Sequence, residues 1–190
     1  KLFNGFEDAR RKIQEIYKRQ ATQLTIVTNV STYMPGLLKA NKNDSPNLNI
    51  PQYSAKRRKI IRMMLDGDAD FAICCPMLTE EPDLETLLIH TENGVIIYPK
   101  DHWLKERTSV SLLELKNENF ISVSVGYGTR DMQDIYLRKL GIAVHNAVET
   151  SDTSSIYDFV KNGLGIALAP KTMTYINSDF KNQAVDIEEA

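Results

Sequence analysis

Cysteine is nearly absent from this chain: Cys74 and Cys75 are the only two in 190 residues. Neighbours in a strand point to opposite faces, so the two do not pair with each other, and a disulfide-stapled scaffold is excluded. They read as small buried hydrophobes of a reducing compartment, or as a thiol turned toward a ligand. The three histidines show no metal-ligand spacing, so no metal site is expected. Neither sign of charge prevails: 23 Lys and Arg against 25 Asp and Glu leave a net charge of −2. That excludes a domain that grips nucleic acid through bulk positive charge. No apolar run approaches the roughly 18–20 residues that span a bilayer, so no membrane partner is expected. No nucleophile–base pair or acid pair is evident, so the chain is read as a non-enzyme without a cofactor. A signal peptide is also missing, but a chain that opens on Lys1 reads as a fragment, so this decides nothing.

What is present is ordinary globular composition, 42% hydrophobic and 25% charged. The organising stretch is Ile156–Pro170. Ile156, Phe159 and Val160 mark one face of a helix, Asn162-Gly163 stops it, and Ile166-Ala-Leu-Ala is an apolar run closed by Pro170. An unalternated apolar run suits a strand covered on both faces. The same grammar occurs earlier, in Ile60–Gly67 followed by Ala69–Pro76. Tracing back from each copy predicts strand 24–30, helix 32–42, strand 48–53, helix 56–66 and strand 69–75. The second set is strand 119–125, helix 129–140, strand 143–149, helix 153–162 and strand 165–169. Two β-α-β-α-β lobes with a ligand cleft, an α/β architecture, are the expectation.

Ligands of open α/β sheets sit beyond the carboxyl ends of the strands, which selects the loops. After the first strand, Asn29, Ser31 and Thr32 precede a helix with Pro35 in its first turn. Free N–H groups there favour an anion; the alternative is that Ser31 or Thr32 is merely an N-cap. Ser54 stands before the second helix. In the second lobe, Ser124 leads into Val125-Gly126-Tyr127-Gly128-Thr129-Arg130. Its glycines bring backbone close to a ligand, and Arg130 offers a bidentate clamp for a carboxylate. A structural turn and a surface arginine form the alternative. Ser151, Asp152 and Thr153 lie in the last polar loop, where Asp152 or Ser151 alternatively caps the following helix.

Elsewhere, Leu2, Phe6, Ala9, Ile13 and Ile16 follow heptad spacing, a helix that pairs with another chain or packs on its own domain. With no cap before Lys1, that helix is expected to continue upstream. Lys56–Lys59 are four consecutive cations that pass around a helix, read as a solvated first turn. Leu84–Ile89 and Gly94–Tyr98 are predicted as a hairpin around Asn93-Gly94. His102 beside Trp103 reads as packing, and Ser111 with Glu114 as a capping box over 112–115.

Four collinear motifs carry a family resemblance. Leu65-Asp-Gly67-Asp-Ala-Asp70-Phe-Ala-Ile73 is similar to Leu-x-x-Gly-x-Leu-Asp-Leu-Ala-Ile, with Ala69 for the usual leucine. Pro99-Lys-Asp-His102-Trp-Leu104 is similar to Pro-x-x-His-Pro-Leu, with Trp103 for proline. Val110-Ser-Leu-x-x-Leu115 resembles the next segment, and Val160–Pro170 matches Val-x-x-Gly-Leu-Gly-Ile-Ala-x-x-Pro. Over nearly its whole length the chain resembles the effector-binding domain of LysR-type transcriptional regulators.

The resemblance implies a type-2 periplasmic-binding-protein-like fold that senses a small metabolite between its lobes, and the loop N–H groups with Arg130 make an anionic one the expectation. Implied partners are that effector, a homodimer or homotetramer, and DNA only through an N-terminal domain outside this chain; the compartment is the cytoplasm. It divides the chain into a linker and dimerisation helix (1–20), lobe I (21–98), an inter-lobe crossover (99–118), lobe II (119–175) and a return towards lobe I (176–190). By the same likeness Asn29, Ser31 and Thr32, then Thr129 and Arg130, then Thr150–Thr153 match the family's polar loops. With Ser54, Ser124 and Gly128 from the loop reading, the expected effector contacts are Asn29, Ser31, Thr32, Ser54, Ser124, Gly128, Thr129, Arg130, Ser151 and Thr153. The loop after the first strand is about three residues shorter than the family's, and Ser54 sits about two residues early. The family continues past Ala190 with a strand and helix of lobe I. The alternative reading is a solute-binding protein of a transport system, which needs a signal peptide or lipid anchor upstream.

Overall fold

The computed structural model describes residue 11 and residues 23–41 and 48–189. The heptad segment 1–20, expected as a linker helix, lies outside the described residues apart from residue 11. Two compact units emerge, residues 1–91 with 126–128 and residues 92–125 with 129–190.

In the first unit, β1 (Ile26–Thr28) is flanked in parallel by β2 (Gln52–Ser54) and β3 (Phe71–Ile73), in the order β2-β1-β3. Ile26 and Val27 point to opposite faces, and both faces are covered. Ile26 packs with Leu24, Met34 and Leu37 of helix α1 (Met34–Asn41), whereas Val27 packs with Ala55, Ile60 and Ala69 beside α2 (Arg57–Leu65). Two-sided cover is the reason the strand shows no polar alternation. Asp70 explains the aspartate of the first motif: its carboxylate accepts the Thr25 N–H (2.7 Å) while its own N–H donates to the Thr25 carbonyl (2.9 Å). A three-residue 3-10 turn, Ser31–Tyr33, precedes α1.

The predicted repeat is visible at the helix ends. After α2, the Asp68 N–H bonds the Met63 carbonyl and the Gly67 N–H that of Met64. After α4 (Ser155–Lys161), Leu164 and Gly163 make the same bonds to Phe159 and Val160. This double closure needs a positive φ, +75° at Gly67 and +80° at Gly163, which glycine adopts without a Cβ penalty.

The second unit holds a four-stranded sheet in the order β5-β9-β4-β8, built from β4 (Gly94–Ile97), β5 (Ser109–Val110), β8 (Ala167–Pro170) and β9 (Ala184–Ile187). Beside it, β6 (Asn119–Val123) and β7 (His145–Thr150) pair in parallel. A parallel bridge from Phe120 to Ile166 sets β6 next to the strand of the organising stretch. The sequence β7-β6-Ile166 therefore repeats the order β2-β1-β3. Met132, Tyr136 and Leu140, one face of α3 (Gly128–Leu140), pack on the core of Phe120, Ile166, Leu168 and Val185.

Three expectations are corrected. Residues 84–89 form no strand, because β8 and β9 occupy both edges of β4 and leave it no partner for a hairpin; Leu87 and Leu88 are exposed. Residues 99–118 are built into the second unit: Leu104, Val110, Leu112 and Leu115 are core residues there. Residues 176–190 add β9 to that unit's sheet, with Val185 and Ile187 turned inward, and the Glu189 carboxylate accepts the Leu112 N–H. The capping box does form, on a turn: Ser111 Oγ accepts the Leu113 N–H, and Glu114 accepts the Ser111 N–H. His102 packs against Tyr98 and Trp103, and Glu118 bridges His102 Nε2 (3.3 Å) and Trp103 Nε1 (2.7 Å).

The cationic run is divided by the turn of α2. Lys56 lies over the Tyr127 ring, Arg57 donates to the carbonyls of Pro76 and Met77, and Arg58 and Lys59 are exposed. Neither Cys74 nor Cys75 forms a disulfide.

Candidate functional site

The candidate residues lie at the carboxyl ends of parallel strands, in each unit by itself. At the end of β1, Thr28 is buried; its hydroxyl donates to the Ile73 carbonyl (2.7 Å) and accepts the Val30 N–H (2.9 Å). Asn29 follows, also buried, with its amide engaged by the backbone of Cys75 at both ends. These two side chains tie the loop to β3 and hold Ser31 and Thr32 at the start of the helical segment. Val30, not a hydroxyl residue, is the N-cap, and no side chain caps the turn. The hydroxyls of Ser31 and Thr32 make no hydrogen bond among the described residues, so neither is the N-cap of the alternative reading. Ser54 ends β2 on an exposed strand, in register with Thr28.

The Gly126–Gly128 loop groups with the first unit. The Arg57 N–H bonds the Gly126 carbonyl (2.9 Å). A Cβ at Gly128 would stand 2.8 Å from both the Cys75 carbonyl oxygen and Val30 Cγ1. Glycine is required here by a close approach of protein to protein, the structural alternative of the sequence reading.

In the second unit, Ser124 donates its N–H to the Thr150 carbonyl (2.8 Å), with its hydroxyl on the same oxygen (3.3 Å). Thr129 is half-buried in the first turn of α3, with no side-chain hydrogen bond among the described residues. Arg130 donates through Nε to Asp134 (2.9 Å) and through Nη1 to the Val123 carbonyl (3.3 Å) and Glu149 (2.9 Å). Burial by itself disfavours its charge, but hydrogen bonds and charges from Asp134 and Glu149 outweigh that and hold the guanidinium above its usual value. Nη2 has no partner among the described residues. In the last loop, Asp152 accepts the Ser154 N–H (2.9 Å) and hydroxyl (2.6 Å), which lower its pKa. Ser151 and Thr153 are exposed, with side chains free of hydrogen bonds among the described residues.

The structure thus sorts the ten expected contacts. Asn29, Ser124, Gly128 and Arg130 have protein partners; Ser31, Thr32, Ser54, Thr129, Ser151 and Thr153 present hydroxyls that are unengaged among the described residues. Sequence reasoning missed Thr28, Glu149 and a polar trio beneath α3, in which Ser122 and Gln133 are buried and Asn146 is half-buried. In the trio, Ser122 Oγ lies 3.0 Å from Gln133 Oε1 and 2.8 Å from Asn146 Oδ1, and Gln133 Nε2 donates to Asn146. The one available signal was a glutamine beside the apolar face of α3. Among the described residues no group of His, Cys, Asp and Glu could hold a metal ion, and no helix is long and apolar enough to cross a membrane.

Residues 19–180 match the family described as LysR substrate binding domain. The chain is 25% identical over 142 residues to the transcriptional dual regulator GltC of Bacillus subtilis (strain 168), covering 75% of this chain and 47% of that protein. It is 26% identical over 172 residues to the uncharacterized HTH-type transcriptional regulator YybE of the same organism, covering 89% and 59%. It therefore spans about half the length of these relatives. Among solved structures, the effector binding domain of QuiR in complex with shikimate superposes with a TM-score of 0.74 at 18% identity, over 88% of this chain and 81% of that one. The regulatory domain of CcmR from Synechocystis PCC6803 in complex with 2-PG gives 0.67 at 19%, over 88% and 80%. These likenesses, with the family match, establish the type-2 periplasmic-binding-protein-like α/β fold. With a match over residues 19–180 and the fold in agreement, the chain belongs to the LysR substrate-binding-domain family.

Proposed function

We propose that this chain is the effector-sensing domain of a bacterial LysR-type transcription regulator that works in the cytoplasm as a homodimer or homotetramer. DNA is contacted by a domain outside this chain. The observation that carries this reading is the family match over residues 19–180, beside similarity to relatives that are transcription regulators. The effector is a small anionic metabolite. Ser31 and Thr32, with the N–H groups at the start of the first helical segment, receive its polar groups in the first unit. Thr129, Ser151 and Thr153 do so in the second, and Arg130 supplies positive charge. Support for a small-molecule effector comes from QuiR and CcmR, solved with shikimate and 2-PG respectively. Binding acts on transcription only through a difference in affinity between two conformations of the regulator.

The test is thermal unfolding against a panel of carboxylates, amino acids and sugars. A ligand at 100 times its Kd stabilises by about 2.7 kcal/mol, or roughly 5–10 °C for a chain of this size. A saturable shift with a carboxylate is expected. Ser31→Ala with Thr32→Val should abolish it, and Arg130→Ala should weaken affinity by roughly 10–150-fold. A shift with neutral sugars alone would remove the anion. An intact shift in all these variants would remove the site.

A further inference from the structure

Arg130 is already bound by an anion of its own chain. Glu149 approaches Nη1 at 2.9 Å, much as an effector carboxylate would. The two carboxylates on Arg130 differ in freedom. Asp134 is the i+4 neighbour on α3, held there by the helix, and its side chain is 35% exposed; Glu149 sits on β7 and is 46% exposed, against 13% for Arg130. The arginine is fixed and the glutamate can turn into water at small cost.

The strand is also irregular in a way that aims Glu149 at Arg130. Phe120 pairs with Asn146 and Ile121 with Val148, so Ala147 is an extra residue in β7. Under strict alternation Asn146 and Glu149 would face opposite sides. The extra residue turns both toward α3, where Asn146 meets Gln133 and Glu149 meets Arg130. Bulges re-aim side chains in this manner. Glu149 directly precedes Thr150 and the hydroxyl loop of Ser151 and Thr153.

We propose that Glu149 is a built-in competitor for the anionic group of the effector: it holds Arg130 in the ligand-free sensor and is displaced on binding. Glu149 thereby sets the concentration at which the sensor responds, and it selects for anions that grip a guanidinium better than a tethered carboxylate does. This rests on the reading that Arg130 receives the effector's charge.

The experiment is a thermal-shift titration of wild type, Glu149→Gln, Glu149→Ala and Arg130→Ala with acetate and with inorganic phosphate, at constant ionic strength set by chloride. Half-saturation in Glu149→Gln and Glu149→Ala is expected at roughly tenfold lower anion concentration than in wild type, the effect of one charge-assisted hydrogen bond withdrawn from competition. Arg130→Ala should lose the response. The readout is the anion-dependent shift, so a lower starting Tm in any variant does not obscure it. Unchanged or weaker binding in both Glu149 variants, with the response still lost in Arg130→Ala, would overturn the competitor and leave the anion site standing. An undiminished response in Arg130→Ala would overturn both. Silence of wild type and both Glu149 variants toward either anion would overturn the competitor as well.

Discussion

Asn29 and Cys75 exchange two hydrogen bonds: Asn29 Nδ2 donates to the Cys75 carbonyl (2.9 Å), and the Cys75 N–H donates to Asn29 Oδ1 (3.0 Å). A side chain here continues the pairing of β1 with β3 one step beyond the ladder. Asn29→Ala would leave both backbone groups of Cys75 without this partner in a part-buried site. Destabilisation of about 2–4 kcal/mol is expected, read from the urea midpoint, with any loss of effector affinity secondary to it. An Asn29→Ala protein of wild-type stability would mean that the pair contributes nothing.

Two glycine substitutions should differ in sign. Gly36 lies in α1 with nothing within 4 Å of an added Cβ, so Gly36→Ala should stabilise by about 0.5–1 kcal/mol. Gly128→Ala would press its Cβ against a backbone carbonyl at 2.8 Å and should cost about 1–3 kcal/mol. Denaturant midpoints of the two variants decide this, and equal effects would contradict the close packing at Gly128.

Alkaline pH should weaken the fold. Burial pushes the Cys74 thiol up to about 11, despite Arg57 acting the other way, with Cys75 adding to the rise. Burial and the charge of Glu92 raise the Tyr157 hydroxyl to about 12. Both groups are neutral when protonated, and the folded state holds the proton more tightly. Their contribution is therefore complete below the unfolded values near 9 and 10 and is lost as pH rises towards 11 and 12. Urea midpoints should fall between pH 8.5 and 11, and less so in Cys74→Ala. Cys74 should also react slowly with iodoacetamide at pH 8 when folded and readily in urea.

The polar trio of Ser122, Gln133 and Asn146 ties β6 and β7 to α3. Gln133→Ala and Ser122→Ala each leave two polar partners short of a hydrogen bond; Gln133→Ala also removes the larger side chain and should cost more, about 2–4 kcal/mol. Amide exchange of β7 in the Gln133→Ala protein should accelerate more than that of β4, which lies in the other sheet.

The recurrence of helix, glycine stop and buried strand was enough to place both β-α-β-α-β units, because each of its signals is local. Apolar periodicity, a positive-φ glycine and a two-faced strand all act within about fifteen residues, as at Ile60–Ile73 and Ile156–Ala169. The same holds for the unengaged loop hydroxyls, since strand ends imply loops and loops imply the ligand side.

Whatever depended on partners far apart in the chain was decided only by the tertiary structure. Nothing near Asn93-Gly94 announces that β8 and β9 will occupy both edges of β4 and displace the expected hairpin. Nothing near Arg130 announces Glu149, which comes within reach only through the parallel pairing of β6 with β7 and the extra residue Ala147. Residue type made Asn29 and Arg130 candidates for a ligand; long-range register determined that their hydrogen bonds meet Cys75 and Glu149. By itself the sequence determined where chemistry could lie, through short-range periodicity and backbone preference. The tertiary structure decided which of those groups remain open, because a hydrogen-bond donor is engaged by whichever acceptor the strand order brings within 3 Å.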